Sequence, residues 1–216
     1  MPLFFYTIAI FSAYLLGSIA TSVWIGRFFY GIDIRDYGSG NAGATNVFRV
    51  LGKKAGIPTM IIDMAKGWAA VKLALFFSES LIIGSNGYIN LQLALGAGAV
   101  LGHLFPIFAQ FRGGKGVATL FGIGLAIHPL ATLLAFSVFV VVLITTRFVS
   151  LGSMLAGVTF PVLIIYVFKE SAPSLIIFSF FVAAGLIYTH RKNIIRLLKK
   201  EESKANIFGK RRKHLE

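Results

Sequence analysis

A glycine-rich turn is the clearest candidate for an anion-binding site in this chain. Residues 113 to 116 read Gly-Gly-Lys-Gly and directly precede an apolar segment that we predict to be a helix. The backbone amides of Gly113, Gly114 and Gly116 could approach a ligand closely, and the Lys115 ammonium and the positive end of the helix would point to the same place. This combination favours phosphate binding, whereas the alternative is a tight turn whose lysine reaches the membrane surface. No hydroxyl residue follows the lysine, so the turn is not a nucleotide-binding P-loop.

A second polar segment, residues 36 to 56, is rich in glycine and in small polar side chains. Glycine lets a backbone approach a ligand, hydroxyl and amide groups offer hydrogen bonds, and arginine carries a fixed positive charge. The residues of this segment that we predict to contact a substrate are Ser39, Gly40, Asn41, Thr45, Asn46 and Arg49. An ordinary flexible turn is the alternative interpretation. A dinucleotide-binding motif is excluded, because no βαβ unit surrounds the segment.

Three polar residues near the end of the last apolar segment share one spacing. His190, Asn193 and Arg196 are each three residues apart, so on a helix they lie on one face. We predict that this face closes over the same anion site. The alternative is a basic helix lying on anionic lipid headgroups. For Lys199 and Lys200 both interpretations stay open.

Other ionisable residues indicate structure rather than chemistry. Asp63 and Lys66 lie three residues apart inside an apolar segment, where an unpaired charge costs several kcal/mol, so we predict a mutual ion pair. His103 and His128 have no histidine or carboxylate at metal-ligand spacing, and we expect both to be hydrogen-bonded structural residues. The sequence therefore predicts neither a metal site nor another cofactor. Because the chain has no cysteine, disulfides, thiolate zinc sites and a cysteine nucleophile are excluded.

Composition indicates which solvent surrounds these residues. Of the 216 residues, 56% are apolar and only 13% are charged, a balance typical of proteins embedded in lipid. Long apolar segments separated by short polar joints continue along the whole chain. This pattern predicts an all-α integral membrane protein with a single domain over residues 1–216. Small residues at positions 96 to 99, 122 and 124 would let helices pack closely in lipid.

The net charge of +13 does not indicate a nucleic-acid partner. The basic residues lie between apolar segments and in a tail, about residues 191–216, rather than along an exposed helix face. We predict that the tail, including its cluster at residues 210–213, lies in the cytoplasm and contacts anionic membrane lipids.

The same charges decide the number of spans. A helix needs about 20 residues to cross the hydrocarbon core. The segments that meet or approach this length are 4–26, 57–78, 91–109, 150–168 and 173–190. If residues 117–146 crossed only once, Arg147 and the tail would lie outside, against the positive-inside rule. A break at His128 and Pro129 instead predicts seven spans, some of them short or broken, with the N-terminus outside and the C-terminus in the cytoplasm.

Three segments together resemble a known family of enzymes. GSGNAGATNVFR, GHLFPIFAQFRGGKGVAT and HRKNIIRLL are similar, in order and spacing, to the three signature motifs of the bacterial acyl-phosphate:glycerol-3-phosphate acyltransferases of the PlsY type. The resemblance covers nearly the whole chain. It implies a seven-helix enzyme of the bacterial cytoplasmic (inner) membrane, with an active site that faces the cytoplasm and a role in the first step of phospholipid synthesis.

The resemblance also implies a reaction and roles for single residues. A fatty acyl group would pass from acyl phosphate to the 1-hydroxyl of sn-glycerol 3-phosphate, which would give lysophosphatidic acid and inorganic phosphate. Ser39 and Arg49 would be catalytic in the first motif, Lys115 and its flanking glycines would form a phosphate loop, and His190 and Asn193 would act from the third motif. The implied partners are the two substrates, membrane lipids and, transiently, the enzyme that produces acyl phosphate.

The third motif departs from the family pattern at its end. Family members usually continue with Gly, Thr and Glu, whereas here Lys200 and Glu201 precede Glu202. Glu202 would keep a supporting structural role, but the resemblance does not imply how the local turn is formed.

The chemistry of the residues agrees with this reaction and leaves two points open. Acyl phosphate is already activated, so no covalent intermediate is required. The general base could be His190 or the phosphate of the acceptor itself. A membrane transporter of phosphate-bearing anions is the alternative function, although a carrier should place its polar motifs near the midplane rather than at one membrane face.

Overall fold

Helices form all the regular structure in the part of the chain that the computed structural model describes, residues 2–77 and 81–205. The α-helices in these two ranges are α1 (Pro2–Gly17), α2 (Thr21–Tyr30), α3 (Ala44–Val50), α4 (Lys53–Lys72), α5 (Asn86–Leu104), α6 (Val117–Ile127), α7 (Pro129–Thr146), α8 (Val149–Val162), α9 (Pro173–Thr189) and α10 (Arg191–Leu198). Short 3-10 turns lie at Ile34–Asp36, Leu73–Phe77 and Ile107–Ala109, and a π-helical turn, Leu163–Val167, follows α8. The predicted all-α fold is confirmed for these residues.

Several of the helices can cross a membrane. Three stretches in the described ranges are long and apolar enough, namely Asn86–Ala109, Pro129–Thr146 and Val149–Val167. Two bent pairs, α1 with α2 and α9 with α10, raise the number to five if each pair is one span. The other two predicted spans coincide with α4, which has 20 residues and buries Asp63 and Lys66, and with α6, which has 11 residues. The molecule is therefore a multi-pass membrane protein, and seven spans stay a prediction.

Two breaks in the helices shape the bundle. The chain breaks at His128, as the sequence predicts, because the His128 ring accepts a hydrogen bond from the Ala131 amide (3.3 Å) and Pro129 begins α7. The first predicted span, 4–26, is not one straight helix, since α1 and α2 meet at an angle of 42°. No proline lies at this second break, and side chains of α4 stabilise it, as described below.

Small residues let the helices of the bundle pack backbone against backbone. A Cβ atom on Gly102 of α5 would lie 2.1 Å from the Tyr14 carbonyl oxygen of α1. A Cβ atom on Gly122 of α6 would lie 1.9 Å from the Met64 carbonyl oxygen of α4. Such distances leave no room for a larger residue, so the close approach predicted at Gly122 is confirmed.

An apolar core lies where α1, α4, α5 and α6 meet. Its most buried members are Ala13, Ala70, Val71, Leu95, Ala99 and Ile123. Large apolar side chains also cover the outside of the bundle, among them Phe11, Phe76, Leu130, Val141 and Phe181. An apolar exterior is what lipid requires of a spanning protein. The predicted lipid contact at residues 210–213 lies outside the described residues.

Candidate active site

The turn at residues 113–116 is anchored to the end of α5. The Gly113 amide donates to the Leu104 carbonyl and the Gly114 amide to the His103 carbonyl, both at 3.2 Å. A Cβ atom on Gly113 would lie 2.0 Å from the His103 carbonyl oxygen, and one on Gly114 would lie 2.8 Å from the carbonyl oxygen of Ala42 in the first polar segment. Glycine is therefore needed here for close packing. The two amides that we predicted to face a ligand instead face the protein.

The backbone amides without a hydrogen-bond partner in the described part of the chain begin one residue later. Those of Lys115, Gly116, Val117 and Ala118 make no hydrogen bond to another described residue. Gly116 has a φ of +81°, which glycine adopts without strain, and α6 starts directly after it. The end of a helix with unpaired amides attracts anions. The unpaired amides of this turn thus lie one to four residues closer to α6 than the predicted ones at Gly113 and Gly114, and anion binding by them stays a prediction.

Lys115 joins the second and third motifs. Its ammonium donates a hydrogen bond to the Asn193 side-chain oxygen. The Asn193 amide nitrogen donates in turn to Glu202 at 2.6 Å. Ser150 of α8 and Arg196 of α10 also donate to the Glu202 carboxylate, at 2.7 and 2.8 Å. Asn193 is therefore oriented by an ammonium on one side and a carboxylate on the other.

The chain after α10 places Glu202 in this network. Lys200 has a φ of +60°, and the Glu201 amide donates to the Arg196 carbonyl at 2.8 Å. The Ala205 amide then donates to the Arg147 carbonyl at 2.7 Å, which ties this segment to the loop between α7 and α8. Lys200 stands where the family pattern has glycine. Lys200 thus adopts the left-handed backbone conformation that glycine would favour.

Charges dominate the surroundings of Lys115. Burial lowers the pKa of its ammonium to about 8; Glu202 raises this pKa, whereas Arg196 and Arg49 lower it further. Burial alone would raise the pKa of Glu202, but hydrogen bonds from Arg196, Asn193 and Ser150 hold it below its usual range. We call Arg49, Lys115 and Arg196 the cationic site. Three positive charges face one carboxylate there, so the site favours an anionic ligand.

His190 lies at the bend between α9 and α10. The two helices meet at 57°, which turns the polar face of α10 toward Lys115. The His190 ring is buried, and its Nδ1 lies 2.8 Å from the Leu186 carbonyl oxygen. A carbonyl only accepts hydrogen bonds, so this contact assigns the proton to Nδ1 and leaves Nε2 as the acceptor in the neutral ring.

The first polar segment is held together by Asn46. Its side-chain nitrogen donates to the carbonyls of Ile34 (2.9 Å) and Tyr37 (3.0 Å), and its oxygen accepts from the Ser39 amide (2.9 Å). Asn46 is fully buried, so both of its donors are used inside the protein. We predicted that Asn46 contacts a substrate, but these bonds favour a positioning role.

The other residues predicted in this segment differ from Asn46 in exposure. Ser39, Gly40, Thr45 and Arg49 are exposed, and Asn41 is partly exposed. The hydroxyls of Ser39 and Thr45 make no side-chain hydrogen bond to another described residue. These groups are therefore accessible to a ligand. Among them, Arg49 interacts electrostatically with Lys115.

Arg35 is a residue of the site region that the sequence analysis did not single out. Its side chain is buried, and its guanidinium donates to the Asp33 carboxylate (2.7 Å) and to the Ala109 carbonyl (2.8 Å). Arg35 thereby links the first polar segment to the turn that leads into residues 113–116. The pair of charges at positions 33 and 35, next to the polar segment, was the available signal.

The fold and the site together define a multi-pass helical membrane protein with a cationic site where its polar loops meet. Residues 7–200 match the glycerol-3-phosphate acyltransferase family. The chain therefore belongs to this family, and it is an acyltransferase of the PlsY type.

Similar proteins match the sequence of this chain along nearly its full length. The glycerol-3-phosphate acyltransferase of Chlorobium phaeobacteroides (strain BS1) is 43% identical over 223 residues, which cover 91% of this chain and 95% of that protein. The enzyme of the same description from Geobacillus kaustophilus (strain HTA426) is 45% identical over 199 residues, with coverages of 92% and 95%.

Solved structures of a relative share the fold. The glycerol 3-phosphate form of PlsY (YgiH), an integral membrane glycerol 3-phosphate acyltransferase, has a TM-score of 0.82 and 36% sequence identity, and the match covers 93% of this chain and 96% of that one. Its lysophosphatidic acid form has a TM-score of 0.77. Family membership favours the enzyme over the alternative of a transporter.

Proposed function

We propose that this protein transfers a fatty acyl group from acyl phosphate to the 1-hydroxyl of sn-glycerol 3-phosphate. The hydroxyl oxygen attacks the acyl carbonyl carbon, and the bond between that carbon and the phosphate oxygen breaks. The hydroxyl proton leaves with the phosphate, directly or through a base. The products are lysophosphatidic acid and inorganic phosphate, which is the first step of bacterial phospholipid synthesis.

The observation that carries the proposal is the convergence of the three motifs on Lys115. Its ammonium contacts Asn193, the charge of Arg49 is close enough to affect its pKa, and unpaired amides of α6 begin at the same turn. Both proposed substrates carry a phosphate, and groups fixed before the reaction can stabilise charge on the carbonyl oxygen and on the departing phosphate. The solved relative in a glycerol 3-phosphate form and a lysophosphatidic acid form supports the same substrates.

The site residues take the following roles in this proposal. Arg49 and Lys115 bind phosphate and stabilise negative charge, and Asn193 holds the ammonium in position. Ser39 offers its exposed hydroxyl to a substrate. The base is either the acceptor's phosphate or His190, whose Nε2 is the acceptor nitrogen of its ring.

An apolar cleft supports a place for the acyl chain between helices. It has a volume of about 410 Å³, and three of its lining residues belong to α1. Its lining consists of Ser12, Leu15, Leu16, Ile19, Leu73 and Phe108. Ile19 also borders the space next to Gly113 and Gly114, so the cleft and the space at the turn lie on either side of one residue. A single-chain amphiphile could keep its tail there while its phosphate reaches the cationic site.

The proposal includes an orientation. We infer seven spans, with the N-terminus outside and the active site at the cytoplasmic face of the bacterial cytoplasmic membrane, because the basic joints and the tail then lie inside. At that face the site is open to soluble glycerol 3-phosphate and to the enzyme that produces acyl phosphate.

The decisive experiment uses the purified full-length protein in lipid with palmitoyl phosphate and glycerol 3-phosphate. Phosphate should be released only when both substrates are present, together with one lysophosphatidic acid per phosphate. Arg49→Ala and Lys115→Ala should abolish the release, whereas His128→Ala, at the far break between α6 and α7, should retain it. Normal turnover of Arg49→Ala would refute the assigned site, and release from palmitoyl phosphate alone would refute the transfer.

A further inference from the structure

A buried charge cluster lies directly beneath the turn at residues 113–116, and the reaction proposed above makes no use of it. We propose that Asp63, Lys66 and His103 form a positioning network that holds Gly113 and Gly114, and through them the Lys115 ammonium, in place. The inference rests on the proposed function of this turn as a phosphate site.

The ion pair on α4 holds the break between α1 and α2. Lys66 Nζ lies 2.8 Å from Asp63 Oδ1, and the two side chains are 3% and 2% exposed, which confirms the ion pair predicted from the sequence. Lys66 also donates to the Ile19 carbonyl at 2.7 Å, and the Thr21 hydroxyl donates to Asp63 at 3.0 Å. The Ile19 carbonyl lies where the helix is interrupted and accepts from the Thr21 amide (3.0 Å) as well as from Lys66, as a carbonyl within the membrane requires. The ion pair is therefore hydrogen-bonded to the residues at the break, Ile19 and Thr21.

His103 lies between this pair and the turn. Its Nδ1 is 3.8 Å from Asp63 Oδ1, too far for a hydrogen bond, and Nδ1 has no hydrogen-bond partner among the described residues. The side-chain hydrogen bond that we expected for His103 is therefore not found at this nitrogen. The backbone carbonyl of His103 accepts the Gly114 amide, and a Cβ atom on Gly114 would lie 2.3 Å from Nε2 of the ring. The ring thus packs directly against the turn.

A small cavity of about 10 Å³ joins the cluster to the turn. Its lining includes Asp63, Lys66 and His103 of the cluster together with Ala42 and Gly113 of the two polar loops. The polar cluster and the polar loops therefore line a common space, so a change in the cluster can displace the turn. Helix α4 acts on the far side of the turn as well, since a Cβ atom on Gly67 would lie 2.3 Å from the Thr119 carbonyl oxygen of α6.

Stability alone is a poor reason for such a cluster. Replacing a buried ion pair by apolar residues of similar volume is often neutral or stabilising, because removing two charges from water is costly. An ion pair with defined hydrogen bonds does, however, specify one arrangement of the groups around it. A displacement of about 1 Å at a reacting group can lower a rate by about a hundredfold, so this arrangement bears on catalysis.

The test measures phosphate binding separately from acyl transfer. Three variants are compared with the parent: the double variant Asp63→Asn/Lys66→Met, His103→Ala and the conservative His103→Asn. The double variant removes both charges of the ion pair, so it leaves no unpaired buried charge. Gln92→Leu is the matched control, because Gln92 is a buried polar residue of α5 about three helical turns before His103. The full-length protein in lipid is heated with increasing inorganic phosphate, and the concentration dependence of Tm gives the affinity.

We expect the double variant and His103→Ala to bind inorganic phosphate about ten- to a hundredfold more weakly than the parent, with a higher KM for glycerol 3-phosphate. His103→Asn should recover most of the affinity, because it keeps a planar polar group against Gly114. Gln92→Leu should bind phosphate like the parent. A merely structural role would change Tm without phosphate and leave the affinity unchanged.

Each outcome decides the inference. If His103→Ala binds phosphate as tightly as the parent, the network is overturned. This result is decisive even if the double variant does not fold. A parent protein that shows no stabilisation by phosphate overturns it as well. A parent that binds phosphate but does not react with palmitoyl phosphate refutes the proposed donor, whereas weaker binding in the variants would still support the network.

Discussion

The ammonium of Lys115 donates a hydrogen bond to the side-chain oxygen of Asn193, 78 positions further along the chain. This contact joins a turn before α6 to the polar face of α10, and Glu202 holds the other end of the same amide at 2.6 Å. The position of the cation therefore depends on an uncharged residue that binds ammonium and carboxylate at once.

Removing that amide should displace the cation. Asn193→Ala leaves the Lys115 ammonium without its described acceptor, and hydrogen bonds to charged groups contribute about 1.5–3 kcal/mol. We expect kcat/KM for glycerol 3-phosphate to fall about ten- to a hundredfold, measured by phosphate release. Lys192→Ala, an exposed neighbour on α10, serves as the control and should stay close to the parent. Parent-like kinetics of Asn193→Ala would contradict the role of the contact.

The pKa of Lys115 predicts an alkaline limit to activity. Since burial lowers this pKa to about 8, the ammonium is charged below that pH and loses its proton as the pH rises through it. We expect kcat/KM to decrease above pH about 8, because only the charged form attracts phosphate. In Lys115→Arg the guanidinium stays charged, so any remaining activity should decline at a higher pH. An identical alkaline limb in parent and variant would assign the decline to another group.

Arg35 should matter far more than its neighbour Arg27, although both contact Asp33. The Arg35 side chain is 5% exposed and also donates to the Ala109 carbonyl, whereas the Arg27 side chain is 54% exposed. Losing one partner of a buried charge pair costs about 3–5 kcal/mol, while an exposed pair contributes at most about 1 kcal/mol. Arg35→Met should lower Tm clearly and reduce kcat/KM, and Arg27→Met should change neither by much. Equal effects of the two substitutions would contradict the role of Arg35 in linking the first polar segment to the turn.

Lys200 offers a stabilising substitution. Its φ of +60° is strained for a residue with a Cβ atom, by roughly 1 kcal/mol, and glycine removes this strain. We expect Lys200→Gly to raise Tm by a few degrees, with activity retained, because Glu202 keeps its position. Lys199→Gly is the matched control: its φ is −81°, so glycine there should not stabilise the protein. If both variants melt alike, the strain is absent.

The proposed orientation can be measured directly, because the chain has no cysteine that would react with a thiol probe. Single cysteines at Asn86, at the start of α5, and at Ser203, after α10, lie at exposed positions. In cells, an impermeant maleimide should label Asn86→Cys, whereas Ser203→Cys should require permeabilised membranes. Labelling of both from the same side would refute seven spans.

Much of the architecture could be predicted from local patterns. The helix break at His128 followed from proline and from the charge count on either side, and the ion pair of Asp63 and Lys66 followed from their spacing on one helix. Asn193 and Arg196, three residues apart on α10, both donate to Glu202, as helical periodicity predicts for residues on one face. Each of these features depends on residues close together in the sequence.

Other features depend on partners that are distant in the sequence. The break after Gly17 lacks a local signal, because the group that accommodates it is Lys66, 47 positions later than its acceptor Ile19. The amides of Gly113 and Gly114 were predicted to approach a ligand, but they donate to carbonyls of α5 instead. Likewise, the side-chain nitrogen of Asn46 donates both of its hydrogen bonds to the carbonyls of Ile34 and Tyr37.

The sequence by itself therefore determined a helical membrane protein, its polar motifs and the residue types at its site, because hydropathy, helical spacing and charge placement are properties of the linear chain. Tertiary structure alone decided which amides stay unpaired at α6, that Lys115 meets Asn193, and that Arg35 and His103 support the loops. A hydrogen-bonding group is available to a substrate only if no neighbour already occupies it, and packing decides which neighbours are present.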